Sequence, residues 1–500
     1  MKESIEFIYK EQKELSTLGG IAALLGWDQM TYMPMMGAAA RSEQSAFISR
    51  IAHEKIVNDG FWNHIQNLSK NIEALSIKDR AVVKRLEKDV EKSRKIPSDF
   101  VERISKTTTI AYQAWEKARG NNNFKVFAPH LEKIVELEKE YCGYINLPGP
   151  RYNTLLDDYE EGMTVDVLRK EFSFLKTSLV EIIEKIKNSE TFKNQEKINI
   201  KLDQDKQKKI SQILFEKMLL PKEKARIDVS THPFTTSMGD DDVRITTNYG
   251  RDSPLFSFFS TVHEAGHALY ELNMPKDEYK DTVISDSPSL GLHESQSRFW
   301  ENMIARRKSF WEHFYPIFQN TSPETFNDIG LERWYKIVNQ VKPSLIRVEA
   351  DELTYCLHVI LRFELEADMM DDKIQVSDLP NLWNEKMNEM LGVVPQNDVE
   401  GVLQDMHWSG GSIGYFPTYA IGSIYSSQIF KKISDVNQNL ENEIEQGNFA
   451  NILNWLKENI HKHGRLMTAN EIIKNACGEG LNSKVFVDYL KDKYYCIYEV

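Results

Sequence analysis

The sequence predicts a mainly α-helical protein: one large helical unit with a deep cleft and a small β-hairpin or edge-strand element near residues 225–249. Two observations carry this. Apolar residues recur at three- and four-residue spacing through most of the chain, the period of helices that bury one face. Runs of β-branched residues are instead concentrated in one place, just ahead of the most distinctive motif.

Taken in order, residues 1–27 carry Glu3, Glu6, Glu11 and Glu14 before a short apolar run, IAALLGW, which fits a helix face better than a secretory leader. Helices are expected at 79–94, 127–145 and 165–187, where charges separate the apolar positions. The polar stretch 188–209, with lysine, glutamine and asparagine but no glycine, is the expected hinge or loop. Next, RIDVST and VRITTNY flank the turn-like SMGDDD, which predicts a hairpin or two edge strands over 225–236 and 242–249. Such an edge either pairs with an extended peptide or serves only the fold. A helix over 255–271 has Ser253 as its cap and Pro254 at its first position, and its nearly uncharged sequence suits burial on most sides. Helices at 332–341 and 351–367 follow. No repeat or Pro/Gly/Ser-rich linker divides the chain, so residues 1–500 are expected to form one domain, an N-terminal helical portion covering a catalytic portion across the cleft.

Composition narrows the class. At 41% hydrophobic and 27% charged residues the chain is globular. A net charge of −13 argues against nucleic-acid binding. No run approaches the roughly 20 apolar residues of a membrane span. Cys142, Cys356, Cys477 and Cys496 are far apart with no CxxC pair, the pattern of a reduced, cytoplasmic protein.

The informative motif is His263-Glu264-Ala265-Gly266-His267. At i and i+4 both imidazoles leave one helix face and can reach one ion, while Glu264 can hold an activated water. Ala265 and Gly266 are small enough for another element to approach the turn between the ligands. The bland alternative is a chance pattern on a core helix. A third histidine six residues further on is absent, since Asn273 stands there, and Tyr270 replaces the accompanying glycine. Glu294, 27 residues beyond His267, has enough intervening chain to return antiparallel to the motif helix. Two histidines and a glutamate leave a fourth zinc position for water, as in catalytic sites. The neighbouring His293 competes for the ligand role, or else stands behind the ligands.

Several blocks beside this motif resemble the carboxypeptidase Taq family, the thermostable-carboxypeptidase type of zinc metallocarboxypeptidase. They are WDQMTYMP (27–34), YNTLLDDYEEGMT (152–164), HPF (232–234), DVRIT (242–246), HESQSR (293–298), IRVEAD (346–351), GVLQDMHW (401–408) and GYFPTYAIG (414–422). They run in order over most of the chain. The resemblance implies hydrolysis of the C-terminal peptide bond of peptides with a free carboxylate, releasing single amino acids, by a homodimer. It places Arg347 at the family position for binding that carboxylate, where a planar fork suits the anion, and Arg244 as a second cation. Either arginine could instead be structural, Arg347 by pairing with Glu349 or Asp351. His407 with Tyr415 or Tyr419 would stabilise the charge developing on the scissile carbonyl; His232 would line the cleft or fix a turn. Glu264 is the expected general base, and zinc the expected metal, with cobalt as a substitute. Arg298, four residues after Glu294, leaves the ligands' outer support to Asp286, Asp351 or a backbone carbonyl. His461-Lys462-His463 lacks ligand spacing and is expected on a solvated surface. An endopeptidase or dipeptide-releasing enzyme would use the same metal triad, whereas a non-catalytic scaffold would have no chemical need for it.

Overall fold

Four helices open the chain: α1 (Lys2–Thr31), α2 (Ala38–Ile56), α3 (Asp59–Ser69) and α4 (Ile77–Arg94). In this computed structural model, which describes residues 1–196 and 200–500, 70% of the chain is helical and the only sheet among the described residues has three strands. Ile8, Phe61, Ile65, Leu68, Val82, Val83, Leu86 and Val90 form a small core of their own, closed by Tyr279 and Ile284 from the chain beyond the motif helix. The opening helices are thereby pinned to the segment that follows the motif.

The expected helices are present, with shifted ends. Ala128–Ile145 and Val165–Asn188 match to within a residue, while the next is shorter, Leu331–Val338. Tyr355–Met370 begins later than 351 because the Asp351 carboxylate accepts from the Leu353 and Thr354 amides, both at 3.0 Å, and holds a turn there. The expected loop 188–209 is partly helical: Glu190–Lys193 is a single turn, and Gln204–Lys217 starts inside it, with Asp203 accepting from the Lys206 amide at 3.0 Å. Residues 197–199 of that stretch lie outside the described residues.

The sheet lies within the expected 225–249, and its pairing differs from a simple hairpin of the two runs. Its order is β1 (Ala225–Val229), β3 (Asp242–Thr247), β2 (Thr235–Gly239). The two β-branched runs do pair, Ala225 opposite Val243 and Val229 opposite Thr247, but they run parallel. The hairpin is β2–β3, with Thr235 opposite Ile245. Parallel strands need a connection that returns the chain, and the segment after β1 supplies it by adding a third strand. Alternation along β3 sends fully buried Val243 and Ile245 to one face and Arg244 to the other. On the Arg244 face lies α1: the Arg244 and Arg226 guanidinium carbons sit 4.6 and 5.7 Å from the Trp27 ring centroid, and Tyr32 donates to Asp228 at 2.6 Å. At Gly20 of α1 a Cβ would lie 2.5 Å from the Met238 carbonyl oxygen, so the helix and β2 approach too closely for a side chain.

The motif helix, Pro254–Leu272, has Ser253 and Pro254 where expected, although the Ser253 hydroxyl makes no capping bond. Its apolar back packs into aromatic side chains: Phe258 lies 5.0 Å from Trp311 and 5.4 Å from Phe318, and Trp311 lies 5.3 Å from Trp334. A second helix, Leu290–Arg298, continues through a π-helical turn at Phe299–Ile304. Gly266 explains how these helices meet, because a Cβ there would stand 2.7 Å from the Gln296 carbonyl oxygen. On the other side Gly422, in helix Pro417–Val436, faces Glu294, with a Cβ position 2.7 Å from Glu294 Cγ. The Glu294 helix is held between two glycine contacts. Among the described residues, no helix is long and apolar enough to cross a membrane.

Candidate metal centre

Helical spacing brings His263 and His267 to one face, and the close helix contact at Gly266 brings Glu294 to them. The three residues offer donor atoms within 4.8 Å of one another. Nε2 of His263 and of His267 lie 3.6 and 3.4 Å from Glu294 Oε2. A tetrahedral zinc with bonds of about 2.0–2.2 Å would separate its donors by roughly 3.4 Å, so the spacing fits such an ion. Glu294 is the carboxylate that converges on the imidazoles, while His293 stands behind His267, their Nδ1 atoms 2.5 Å apart. Burial, then His293, lowers the His267 pKa to about 3.

The support around these donors differs from the expected one on the His263 side. Burial disfavours charge on His263, but Glu294 and Glu301 outweigh it and raise the pKa to about 9. Glu301 Oε2 accepts from His263 Nδ1 at 2.8 Å and from Arg298 Nη1 at 3.2 Å. Arg298 Nε also donates to Glu294 Oε1 at 2.7 Å. Despite burial, Arg298 and His263 hold the Glu294 carboxyl well below the usual range. Behind His267, His293 Nε2 meets Glu271 Oε1 at 2.8 Å. His293 thus stands behind His267, one of the roles expected for it, and Glu301 rather than Asp286 or Asp351 supports His263. Glu294, Arg298 and Glu301 fall at i, i+4 and i+7, a helical pattern that could have pointed to Glu301.

Glu264 is buried, and burial raises its pKa. Thr235 of β2 donates to its Oε2 at 2.6 Å. Nothing local in the sequence marks Thr235, which arrives because β2 lies beside the motif helix.

The remaining expected residues divide into two groups. Arg347, His407, Tyr415 and Tyr419 come together: His407 lies 5.3 and 6.3 Å from the Tyr415 and Tyr419 rings, and the Arg347 guanidinium carbon is 4.9 Å from that of Tyr419. Burial raises the pKa of both tyrosines. Burial lowers the His407 pKa to about 4, and its buried Nδ1 has no partner among the described residues. Arg347 is only 6% exposed and pairs with neither Glu349 nor Asp351. Its Nη2 and Nε reach Asp405 at 2.9 and 3.2 Å, its Nη1 donates to Tyr355 Oη at 3.2 Å, and Arg362 shares Asp405. Asp405 lies in the GVLQDMHW block but 58 residues from Arg347, and no helical spacing relates Arg347 to Tyr355, so the sequence reading did not join them.

Arg244 and His232 form the second group. Arg244 pairs with Asp242 through two 2.7 Å bonds on the sheet face opposite Thr235. His232 is exposed, and its carbonyl accepts from Ser230 Oγ at 2.6 Å, which favours the turn role over the cleft role. His461 corrects the surface expectation: it is 1% exposed, and its Nε2 meets Gln296 Oε1 at 2.9 Å, behind the Glu294 helix.

A two-imidazole, one-carboxylate cluster with a further, buried carboxylate beside it defines the class of metal-dependent hydrolases. The whole chain then identifies the family: residues 7–494 match Carboxypeptidase Taq (M32) metallopeptidases, and the protein belongs to that family. It is 37% identical over 486 residues to Carboxypeptidase 1 of Bacillus subtilis, with 97% of each chain covered. It is also 37% identical over 494 residues to Thermostable carboxypeptidase 1 of Pyrococcus furiosus, with 98% of each covered. The crystal structure of an M32 carboxypeptidase from Deinococcus radiodurans R1 superposes with a TM-score of 0.95 at 34% identity, covering 100% of both chains. The protein is accordingly a metallocarboxypeptidase, a hydrolase of peptides.

Proposed function

We propose that the protein is a zinc carboxypeptidase that removes single amino acids from peptides with a free C-terminal carboxylate, with Glu264 as general base. The observation that carries this reading is the convergence of His263, His267 and Glu294 beside a buried carboxylate held by Thr235. Zinc bound by those three residues would supply Lewis acidity, polarising the scissile carbonyl and easing deprotonation of the attacking water; cobalt is the expected substitute. Glu264 takes the proton from that water and returns it to the leaving amine. Thr235 occupies one Glu264 oxygen and leaves the other to act. Neutral His407, with Tyr415 or Tyr419, donates to the developing oxyanion. Arg347 anchors the terminal carboxylate through N–H groups left over from Asp405 and Tyr355. Arg244 and His232 are outer substrate contacts at most, since Asp242 holds the first and a turn with Ser230 the second.

The alternative is an endopeptidase or dipeptide-releasing enzyme with the same donors. It draws on the engagement of Arg347 with Asp405 and Tyr355. Product analysis on a peptide and its C-terminally amidated twin decides, with Glu264→Gln as the inactive reference. Release of one residue from the free acid alone supports the carboxypeptidase, while internal cleavage of both peptides supports the alternative.

We read residues 1–500 as a single catalytic domain and the assembly as a homodimer. The dimer is supported by exposed apolar side chains on α1, α2 and the turn between them: Met35 and Met36 are 93% and 95% exposed, Leu24 and Phe47 are also exposed, and α2 buries no residue. A cytoplasmic location is supported by four free cysteines.

A further inference from the structure

We infer that Arg298 and Tyr355 form a bridge that ties the metal-ligand carboxylate to Arg347, making both positioning residues for the two halves of the site. This rests on reading Glu294 as a ligand and Arg347 as the carboxylate anchor.

One guanidinium serves two ligands. Arg298 holds Glu294 directly through Nε, and it holds His263 indirectly through the Glu301 oxygen that it shares with His263 Nδ1. A planar fork can address both carboxylates at once, whereas a lysine ammonium is a single point charge. The face of the same guanidinium lies on the Tyr355 ring, 4.2 Å from its centroid. The Tyr355 hydroxyl in turn accepts from Arg347 Nη1 at 3.2 Å.

Tyr355 thus stands between two cations, one on its ring and one on its hydroxyl. It is 6% exposed and starts helix Tyr355–Met370, so its backbone is rigidly held. Asp405 grips Arg347 from the other side, which leaves Tyr355 as the element that sets the position of Arg347 relative to Glu294. Because the hydroxyl accepts from Arg347 and has no acceptor for its own proton among the described residues, that proton is free to reach an anion bound at Arg347.

The bridge separates into parts that different substitutions remove. Tyr355→Phe deletes the hydroxyl and keeps the ring under Arg298; Tyr355→Leu deletes both; Arg298→Lys removes the fork. Metal affinity is measured by competition with a chromophoric chelator, and steady-state kinetics on a free-acid peptide and its amidated twin, using the full-length protein. Tyr355→Phe is expected to raise KM for the free acid roughly tenfold, more than it lowers kcat, with metal affinity within about twofold of wild type. Tyr355→Leu and Arg298→Lys are expected to weaken metal binding roughly 10- to 100-fold. Should Arg298→Lys fail to fold, Tyr355→Leu carries the same arm. Wild-type metal affinity in the folded Arg298→Lys or Tyr355→Leu protein overturns the bridge, as do identical KM and affinity changes in Tyr355→Phe and Tyr355→Leu. Equal hydrolysis of both peptides by wild type would instead sink the anchor reading, and the metal-affinity arm would still decide whether Arg298 and Tyr355 position the ligand.

Discussion

Glu294 owes its position to a guanidinium on one oxygen and to the missing side chain of Gly422 behind its stem. A methyl group at 422 would stand 2.7–2.8 Å from Glu294 Cγ and Cβ, closer than carbon atoms tolerate, so Glu294 must move. Gly422→Ala is therefore expected to lower metal affinity by about 10- to 100-fold and to destabilise the fold by about 1–3 kcal/mol. Chelator competition and thermal melting of the apo-protein read the two effects separately. Thr235 does comparable work for Glu264. Thr235→Val should lower kcat about tenfold through loss of one charge-assisted hydrogen bond, and Thr235→Ser should restore it; equal rates in all three proteins would remove Thr235 from the site. Glu264→Gln is expected to cost on the order of 10²–10⁴ in kcat.

The motif helix is positioned mainly by its aromatic back. Phe258 and Trp311 belong to a cluster with Phe310, Phe314, Phe318 and Trp334, so the element carrying both imidazoles is anchored by apolar packing on the face away from the metal. Trp311→Ala would empty the centre of this cluster and is expected to cost about 3–5 kcal/mol in chemical denaturation. The neighbouring helix shows how an element can place a residue that spacing only hints at. It passes from α-helix into a π turn at Phe299–Ile304, and within that turn Glu301 reaches His263. Such turns are rare and concentrate at functional sites. The period of the helices and the i, i+4 pair were legible because they are local. The parallel pairing of β1 with β3 was not, since it depends on where β2 inserts.

Buried carboxyls make the stability of the whole molecule depend on pH. Glu138 is 6% exposed, and burial followed by Asp158 raises its pKa from 4.5 to about 8. For a raised value the contribution to stability is fully present below about 4.5 and is lost as pH rises through about 8. Glu160, raised to about 8 by burial, acts in the same direction. Glu138→Gln should flatten the decline in stability between pH 5 and 8 by up to about 1.4 kcal/mol per pH unit. Denaturation midpoints of wild type and variant across that range check it, and parallel curves would refute it. At the same scale, Met35→Asp with Met36→Asp should convert the proposed dimer to monomer in light scattering with little change in apo-protein melting, because both side chains are almost wholly exposed.

The sequence by itself determined the helical period, the HExxH pair and the family, and it singled out Glu294, the carboxylate that the fold brings to the two imidazoles, because each is carried by local spacing or by blocks in a fixed order. Gly266 was also legible as a close-approach residue, although not what approaches it. Only the tertiary structure decided that Arg347 pairs with Asp405, that Thr235 holds Glu264, that Glu301 and His293 support the imidazoles, and that His461 is buried behind Gln296. The reason is distance along the chain. Each of these contacts joins residues that spacing along one element does not relate, and a hydrogen bond of that kind leaves no period in the sequence; only the i+7 spacing of Glu301 from Glu294 hinted that Glu301 shares the ligand's helix face.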